Sequence, residues 1–312
     1  MTLLIALTWE PEPWVERFSR LLPERKTVLL GEPCDRRSVR YVATWGPKPG
    51  TLSGLPNLEV IFSLGAGVDH LMGYPDLPDV PIVRVVQDDL SDRMSEYVVL
   101  HCLMHLREQR RCDAQQRERI WRHDQSPPKA VEVRVGMLGF GVLGQDAARK
   151  LAIMGFDVAG WSRSPKRVDG FRVFTGNELD PFLARTDILV SLLPLTSDTR
   201  GILNQKLFRK LARDGRLGGP VLINAGRGGL QVEADIVGCL DDGTLHAATL
   251  DVFETEPLPP ESPLWTHPAV TVTPHNAAVS EPEATARYIV EQIRRFERGE
   301  PLQNIVDPER GY

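Results

Sequence analysis

The chain has 312 residues, enough to bury a sizeable core and to form two domains. Its 37 Lys and Arg against 42 Asp and Glu give a formal net charge of −5, and without a long basic run this argues against nucleic acid as a partner. No apolar run approaches the length of a membrane span, so no membrane partner is expected.

A first alternation of strand and helix patterns begins the chain. An amphipathic helix is expected at Trp14–Leu22, and a long helix at 91–112 follows the last of the strands. The strands are expected at Leu3–Leu7, Thr27–Leu30, Arg40–Thr44, Val60–Leu64 and Ile82–Val86. Short apolar strands separated by helices are typical of a doubly wound parallel sheet.

A second alternation supplies six strands, the number in a full dinucleotide fold. They are expected at Arg134–Leu138, Asp157–Trp161, Asp187–Leu193, Pro220–Asn224, Ala247–Asp251 and Val270–Thr273. One helix, Pro282–Arg298, remains, so we expect the chain to return to its first domain. The prediction is an α/β protein of two doubly wound parallel-sheet (Rossmann/flavodoxin-like) domains: 1–98 plus 280–312 for substrate, 99–279 for nucleotide, with the active cleft between them.

The segment 133–144 carries a glycine-rich turn between a strand and a helix. In this G-x-G-x-x-G pattern, Gly139 permits the tight turn and Gly141 lets backbone approach a pyrophosphate. Gly144 lets the helix pack on the strand, and the phosphates lie at the helix N-terminus. A bare motif is weak evidence, but its strand–helix–strand context predicts a dinucleotide site.

The end of the next strand selects the dinucleotide. NAD sites usually carry Asp or Glu there, whereas this chain has Ser162, Arg163, Ser164 and Lys166, with no carboxylate from Gly160 to Arg167. An arginine can pair with a 2′-phosphate through a forked contact. The segment therefore favours NADPH, with NADH weaker; the alternative is a solvated basic loop.

Metal chemistry is not indicated. The four cysteines are scattered, which fits a reducing cytoplasm. His101 and His105 have metal-ligand spacing on a helix, but no acidic ligand motif lies nearby, so ordinary helix histidines are expected.

Reactive side chains follow three successive strands of the second sheet, where the carboxyl ends of strands point at the ligand crevice. Reduction of a 2-keto acid needs a proton donor, and His275 is suited because imidazole titrates near neutral pH. Glu256 would orient it and favour the imidazolium. Arg227 would bind the carboxylate and polarise the carbonyl. Singly, each could be structural; together, beside a nucleotide fold, they indicate a catalytic site.

These features resemble the D-isomer-specific 2-hydroxyacid dehydrogenase family over nearly the whole chain. The motifs that carry the resemblance are the glycine turn at 139–144, Leu192–Thr196, Asn224–Gly228, Asp251–Pro257 and Thr273–His275. The resemblance implies Arg227, Glu256 and His275 as catalytic residues, and a homodimer built on the nucleotide domains and the 91–112 helix. It also implies further cofactor contacts at Val142, Leu143, Leu193, Pro194, Thr199, Ala225, Gly226, Asp251 and Ala277.

Within the family, the chain is more similar to the glyoxylate/hydroxypyruvate reductase A group. The similar segments are Ala43–Trp45, Ser63–Asp69, Glu96–Val98, Gln115–Gln116 with Trp121, Trp161–Arg163, Leu258–Trp265 and Arg310–Tyr312. This resemblance implies an NADPH-linked, cytoplasmic enzyme for small 2-keto acids. The amides of Gly65, Ala66 and Gly67 would cradle the substrate carboxylate, and Trp45 would wall the pocket.

Two departures from the group leave the substrate open between glyoxylate, hydroxypyruvate and larger keto acids: Gly46 after Trp45, and Asn276 after His275. A nucleotide-sensing protein on the same scaffold is an alternative, since fold alone does not set function; the intact catalytic set argues against it. An NAD-linked oxidising dehydrogenase is disfavoured by Arg163 and by the lack of a regulatory domain after residue 312.

Overall fold

The computed structural model describes residues 1–7, 10–72, 74–86, 88–123 and 126–307. The chain divides into two compact units. Unit 1 comprises Met1–Asp89 and Ser280–Tyr312, and unit 2 comprises Leu90–Val279. The Arg310–Tyr312 motif lies outside the described residues.

Twelve strands and eight α-helices form these units within the described ranges. The strands are β1 Thr2–Leu7, β2 Lys26–Leu29, β3 Val39–Trp45, β4 Val60–Ser63, β5 Ile82–Val83, β6 Arg134–Leu138, β7 Asp157–Ser162, β8 Arg172–Thr175, β9 Ile188–Ser191, β10 Val221–Asn224, β11 Ala247–Leu250 and β12 Val270–Val272. The helices are α1 Glu12–Leu21, α2 Asp88–Leu106, α3 Gln109–Glu118, α4 Val142–Ile153, α5 Leu179–Ala184, α6 Gln205–Phe208, α7 Glu233–Asp241 and α8 Pro282–Glu297.

Unit 1 is built on a five-stranded parallel sheet in the order β2-β1-β3-β4-β5. Strands β1 and β4 are buried at every residue because both faces of the sheet are covered. On one face, α1 and α8 contribute Phe18 and Ile289 to a core that includes Tyr41 and Phe62. A second apolar cluster, which includes Val42 and Ile61, covers the opposite face.

Unit 2 is built on a seven-stranded parallel sheet in the order β12-β11-β10-β9-β6-β7-β8. The chain runs outward from β6 to β8, then returns to β9 on the other side of β6 and continues to β12. The strand order therefore reverses between β6 and β9. In open α/β sheets, ligands bind outside the carboxyl ends of the strands at such a reversal. The prediction of two doubly wound parallel-sheet domains is confirmed.

Two local features differ from the sequence-based expectation. The edge strand β8 was not predicted, because it is short and only Phe174 in it is buried. The helix expected at 91–112 is two helices, α2 and α3, separated at Glu108, whose φ is +53°. No Gly or Pro marks that break, so the sequence does not announce it.

Helix α2 also bears on where unit 2 begins. Met94, Val98, Cys102 and Leu106 of this helix are buried in the same apolar cluster as strands β6 and β9. Because these contacts extend over most of α2, the compact unit begins at Leu90, whereas the sequence analysis placed the start of the nucleotide domain at residue 99.

Candidate active site

The glycine turn after β6 is shaped by close backbone approaches. Gly139 has a φ of +108°, and a Cβ on it would lie 2.8 Å from the carbonyl carbon of Leu192. A Cβ on Gly144 would lie 2.2 Å from the carbonyl oxygen of Gly139. A side chain at either position would therefore displace backbone, which is why both must be glycine.

Gly141 differs from these two glycines because a Cβ on it would have no atom from another part of the chain within 4 Å. It caps the N-terminus of α4, where the first N–H groups of the helix have no intrahelical partner and the helix dipole is positive. Open space before a row of amide donors suits the pyrophosphate of a dinucleotide. The residues present thus fit the cofactor that the motif predicted.

Two cations lie beside this turn, at the end of β7. Strand β7 pairs in parallel with β6, so its end lies next to the glycine turn. Lys166 Nζ donates to the carbonyl oxygen of Phe140 at 3.0 Å. The half-exposed Arg163 guanidinium has Nη1 3.9 Å from an Asp198 oxygen. Ser162 ends the strand, and Ser164 is exposed next to Arg163.

The loop after β9 continues the same edge of the sheet. Leu193 is buried, and Pro194 follows it. The Thr199 hydroxyl donates to the Pro194 carbonyl at 2.7 Å and accepts from the Thr196 amide at 2.8 Å. These bonds close a compact turn beside the glycine motif.

The loop after β10 holds Arg227, and a buried asparagine shapes it. Asn224 Oδ1 accepts from the Gly226 amide at 3.1 Å, and its Nδ2 donates to the Arg227 carbonyl at 3.2 Å. Ala225 is buried behind the turn. The half-buried Arg227 side chain donates from Nη1 to the Gly226 carbonyl at 2.7 Å. The loop thereby holds one arginine in a defined place at the strand end.

His275 and Glu256 form a hydrogen-bonded pair. His275 Nδ1 lies 2.7 Å from Glu256 Oε2, and the Phe253 amide donates to Glu256 Oε1 at 2.9 Å. Burial opposes ionisation of this carboxyl, but the bonds from His275 and Phe253 and the charges of His275 and Arg227 lower the pKa of Glu256. An ionised carboxylate therefore orients the imidazole, whose Nε2 is left for another partner.

His275 has a φ of +51°, a conformation that non-glycine residues rarely adopt. Its amide donates to the Asp251 carbonyl at 2.8 Å. The Asp251 carboxylate, 1% exposed, accepts from the amides of Asn276 and Ala277, each at 3.0 Å, and from the Thr273 hydroxyl at 2.6 Å. Such backbone persists only where its surroundings impose it, and Asp251 does so here.

In unit 1, Trp45 and the turn after β4 pack together. A Cβ on Gly65 would lie 2.4 Å from Cζ3 of Trp45, so the indole ring rests on the glycine. The Ser63 hydroxyl donates to the Gly67 carbonyl at 3.0 Å and shapes the turn that contains Ala66. Gly46, one of the two departures from the reductase group, has a φ of +58°, a backbone conformation that glycine adopts without strain and residues with a side chain rarely adopt.

The structure thus brings Arg227, Glu256 and His275 into one unit at the ends of β10, β11 and β12. The sequence analysis included Asn224 and Thr273 in its motifs but assigned no role to either. A signal was available: Asn224 ends an otherwise apolar strand, where a buried polar residue needs a hydrogen-bonding purpose.

Two further kinds of feature, a metal-ligand cluster and a membrane-spanning helix, are absent from the described ranges. There, no group of three His, Cys, Asp or Glu side chains could hold a metal ion. In the same part of the chain, no helix is both long enough and apolar enough to cross a membrane.

Comparison with known proteins identifies the family. The model of the D-isomer specific 2-hydroxyacid dehydrogenase NAD-binding domain matches residues 99–277, more than half of the chain. The chain belongs to the D-isomer specific 2-hydroxyacid dehydrogenase family. Members of this family are oxidoreductases, so the resemblance drawn from the sequence motifs is confirmed.

Relatives and solved structures in this family match nearly the whole chain. Glyoxylate/hydroxypyruvate reductase A of Serratia proteamaculans is 40% identical over 308 residues, 96% of each chain. A probable 2-hydroxyacid dehydrogenase of Rhizobium etli, solved with NADP, HEPES and L(+)-tartaric acid, has a TM-score of 0.95 at 50% identity. The NADPH-dependent glyoxylate/hydroxypyruvate reductase of Sinorhizobium meliloti, solved with NADP and sulfate, has a TM-score of 0.94 at 50% identity. Both matches cover 100% of this chain and 99% of the other.

Proposed function

We propose that this family member is an NADPH-dependent reductase of small 2-keto acids, with glyoxylate or hydroxypyruvate as substrate and the 2-hydroxy acid, of D configuration where the carbon is stereogenic, as product. The observation that carries the proposal is the pair of His275 Nδ1 and Glu256 Oε2 at 2.7 Å, with Arg227 close enough to lower the pKa of the same carboxyl. The names of the relatives support the same substrates.

His275 acts as the proton donor in this proposal. Because Nδ1 faces Glu256, the proton that goes to the substrate is carried on Nε2. The carbonyl oxygen takes that proton as its carbon is reduced, and the ionised Glu256 compensates the imidazolium before transfer. When bound, NADPH supplies the hydride for the carbonyl carbon.

Arg227 binds the substrate in the proposal. Its guanidinium presents a planar fork of donors to the keto-acid carboxylate and polarises the adjacent carbonyl. The negative charge on the carbonyl oxygen grows as the reaction proceeds, so the arginine stabilises the transition state more than the ground state. In unit 1, we propose that the amides of Gly65, Ala66 and Gly67 also contact the substrate carboxylate and that Trp45 forms a wall of the pocket.

The amides at the N-terminus of α4 would hold the cofactor pyrophosphate, with Gly139, Gly141, Val142, Leu143 and Gly144 forming the turn. Arg163 and Lys166 would contact the 2′-phosphate. The segment from Gly160 to Arg167 contains no carboxylate that would repel this phosphate. The strand-end residues Leu193, Pro194, Thr199, Ala225, Gly226, Asp251 and Ala277 complete the proposed contacts. Two of the solved neighbours hold NADP, which supports this choice.

The test of the proposed function is an NADPH oxidation assay with a panel of 2-keto acids, repeated with NADH. The absorbance of the reduced nicotinamide should fall when glyoxylate or hydroxypyruvate is added. It should fall faster with NADPH than with NADH. Cofactor binding without turnover of any keto acid would instead favour a nucleotide-sensing protein. A preference for NADH in the oxidising direction would favour an NAD-linked dehydrogenase.

We also propose a cytoplasmic homodimer formed through unit 2. The free state of all four cysteines fits a reducing compartment. Exposed apolar side chains on and after α2 and α3 supply a candidate surface: Leu100, Ile120 and Trp121, the last 93% exposed. Light scattering after gel filtration tests the dimer, and Trp121→Ser should weaken it.

A further inference from the structure

One buried glutamine links the loop of Arg227 to the loop of Glu256. Gln231 is 3% exposed and directly follows the short helical turn Gly228–Leu230. Its Oε1 accepts from Asn224 Nδ2 at 2.8 Å, and its Nε2 donates to the Val252 carbonyl at 2.9 Å. Both ends of the amide are thus used, each toward a different loop.

Each partner of Gln231 shapes the backbone beside a residue of the proposed catalytic set. Asn224 holds the Gly226 amide and the Arg227 carbonyl. Val252 precedes Phe253, whose amide donates to Glu256. The bond network therefore runs from Arg227, through two side-chain amides, to the turn that holds the partner of His275.

The two loops also touch through backbone, next to the glutamine. A Cβ on Gly228 would lie 1.8 Å from the carbonyl oxygen of Phe253. This packing contact is non-directional, so by itself it does not fix the position of one loop relative to the other. Buried hydrogen bonds are directional, and an unsatisfied buried amide is costly, so the amide pair admits one arrangement of the two loops.

We propose that Gln231 is a positioning residue that sets the placement of Arg227 relative to the Glu256–His275 pair. The proposal rests on the proposed function, since it assigns Gln231 an effect on keto-acid reduction. Gln231 touches neither reacting atoms nor cofactor in this account and acts through Asn224 and Val252.

The test compares two buried glutamines. In Gln231→Met, an apolar side chain of similar length removes both hydrogen bonds. Gln292→Met is the matched control: Gln292 is 1% exposed, is bonded to Gln303 within unit 1, and is outside the proposed catalytic set. For each protein, kcat and KM for glyoxylate, the NADPH Kd and the melting temperature are measured.

We expect Gln231→Met to lower kcat/KM for glyoxylate about tenfold, because both hydrogen bonds that link the two loops are lost. The NADPH Kd should stay within about twofold, since the glycine turn is untouched. Gln292→Met should lower the melting temperature comparably and leave kcat/KM unchanged. An equal loss of kcat/KM in both variants would overturn the proposal, because the loss of activity would then follow from reduced stability alone.

A double-mutant cycle with Arg227→Lys separates positioning from general damage. If Gln231 acts through Arg227, its substitution costs little once the arginine fork is gone. Purely additive losses would contradict the proposal. Should Gln231→Met fail to fold, Gln231→Asn keeps a neutral amide but is one methylene shorter, so it no longer spans Asn224 and Val252 together, and the same cycle applies. A parent enzyme inactive on every keto acid would overturn the proposed function itself, whereas an active parent with an unaffected variant overturns this inference alone.

Discussion

The Asp251 carboxylate holds His275 in a left-handed backbone conformation without touching its imidazole. The carboxylate accepts hydrogen bonds from the amides of Asn276 and Ala277, the two residues after His275. The backbone carbonyl of Asp251 accepts a hydrogen bond from the His275 amide. Glu256 then orients the ring at Nδ1. Backbone placement and ring orientation of one histidine are thus controlled by two different carboxylates.

Removing the imidazole should abolish most turnover and spare cofactor binding. His275→Ala is expected to lower kcat for glyoxylate by about 10²–10⁴, the usual contribution of general acid catalysis. The NADPH Kd, measured by fluorescence titration, should change little. His267→Ala serves as the control, because His267 faces Asp241 away from the proposed set; wild-type turnover in His275→Ala would mean another proton donor.

Arg227 should affect both binding and turnover. Arg227→Lys keeps the charge but loses the fork, so KM for glyoxylate should rise and kcat should fall together. Arg227→Ala should be worse in both constants and remain folded, since the side chain belongs to a loop. Parent-like kcat/KM in Arg227→Ala would show that the carboxylate is bound elsewhere.

Cofactor preference should depend on Arg163. Arg163→Ala is expected to weaken the binding of NADPH by about 1.5–3 kcal/mol, the range for a hydrogen bond to a charged group. The binding of NADH should be weakened much less. Arg172→Ala, which removes an exposed cation from β8, controls for the change in net charge. Equal losses for both cofactors in Arg163→Ala would exclude a contact with the 2′-phosphate.

Two glycines of one motif should respond differently to alanine. Gly144→Ala forces a Cβ to 2.2 Å from a backbone oxygen and should destabilise the fold by about 1–3 kcal/mol, as overpacking does. Gly141→Ala meets open space, so it should retain stability and lose NADPH affinity. Urea denaturation and cofactor titration check both; unchanged affinity in Gly141→Ala would argue against a pyrophosphate there.

Stability should fall in mild acid through His105. Its Nε2 lies 2.9 Å from the Thr249 hydroxyl. Burial, with the nearby charges of His101, His246 and Arg110, lowers its pKa to about 3 from 6.5. The unfolded chain binds a proton below pH 6.5 and the folded chain does not, so stability decreases from there toward pH 3, by on the order of 1–2 kcal/mol at pH 5.

His105→Gln should flatten this dependence, measured as the free energy of unfolding at pH 7 and pH 5. His123→Gln, a change at an exposed histidine, should leave the slope as in the parent. An equal slope in His105→Gln and in the parent would assign the acid sensitivity to other groups.

The sequence by itself determined the strand–helix alternation, the glycine turn and the absence of a carboxylate after β7. These are local: hydrophobic period, glycine spacing and charge are properties of neighbouring residues, and parallel topology follows from their order. Even locally it was silent at Glu108, where a left-handed residue breaks the helix without Gly or Pro, and at β8, whose strand character depends on pairing with β7.

Only the tertiary structure decided how the strand-end residues are held. The 2.7 Å contact of His275 with Glu256 joins residues 19 positions apart, and Asp251 reaches Ala277 across 26. In the sequence, nothing distinguishes Gln231 from other polar residues in loops. In the fold it is buried and hydrogen-bonded to both Asn224 and Val252. Hydrogen bonds between distant segments depend on sub-ångström placement by the packed sheet, and residue order alone carries no such distances.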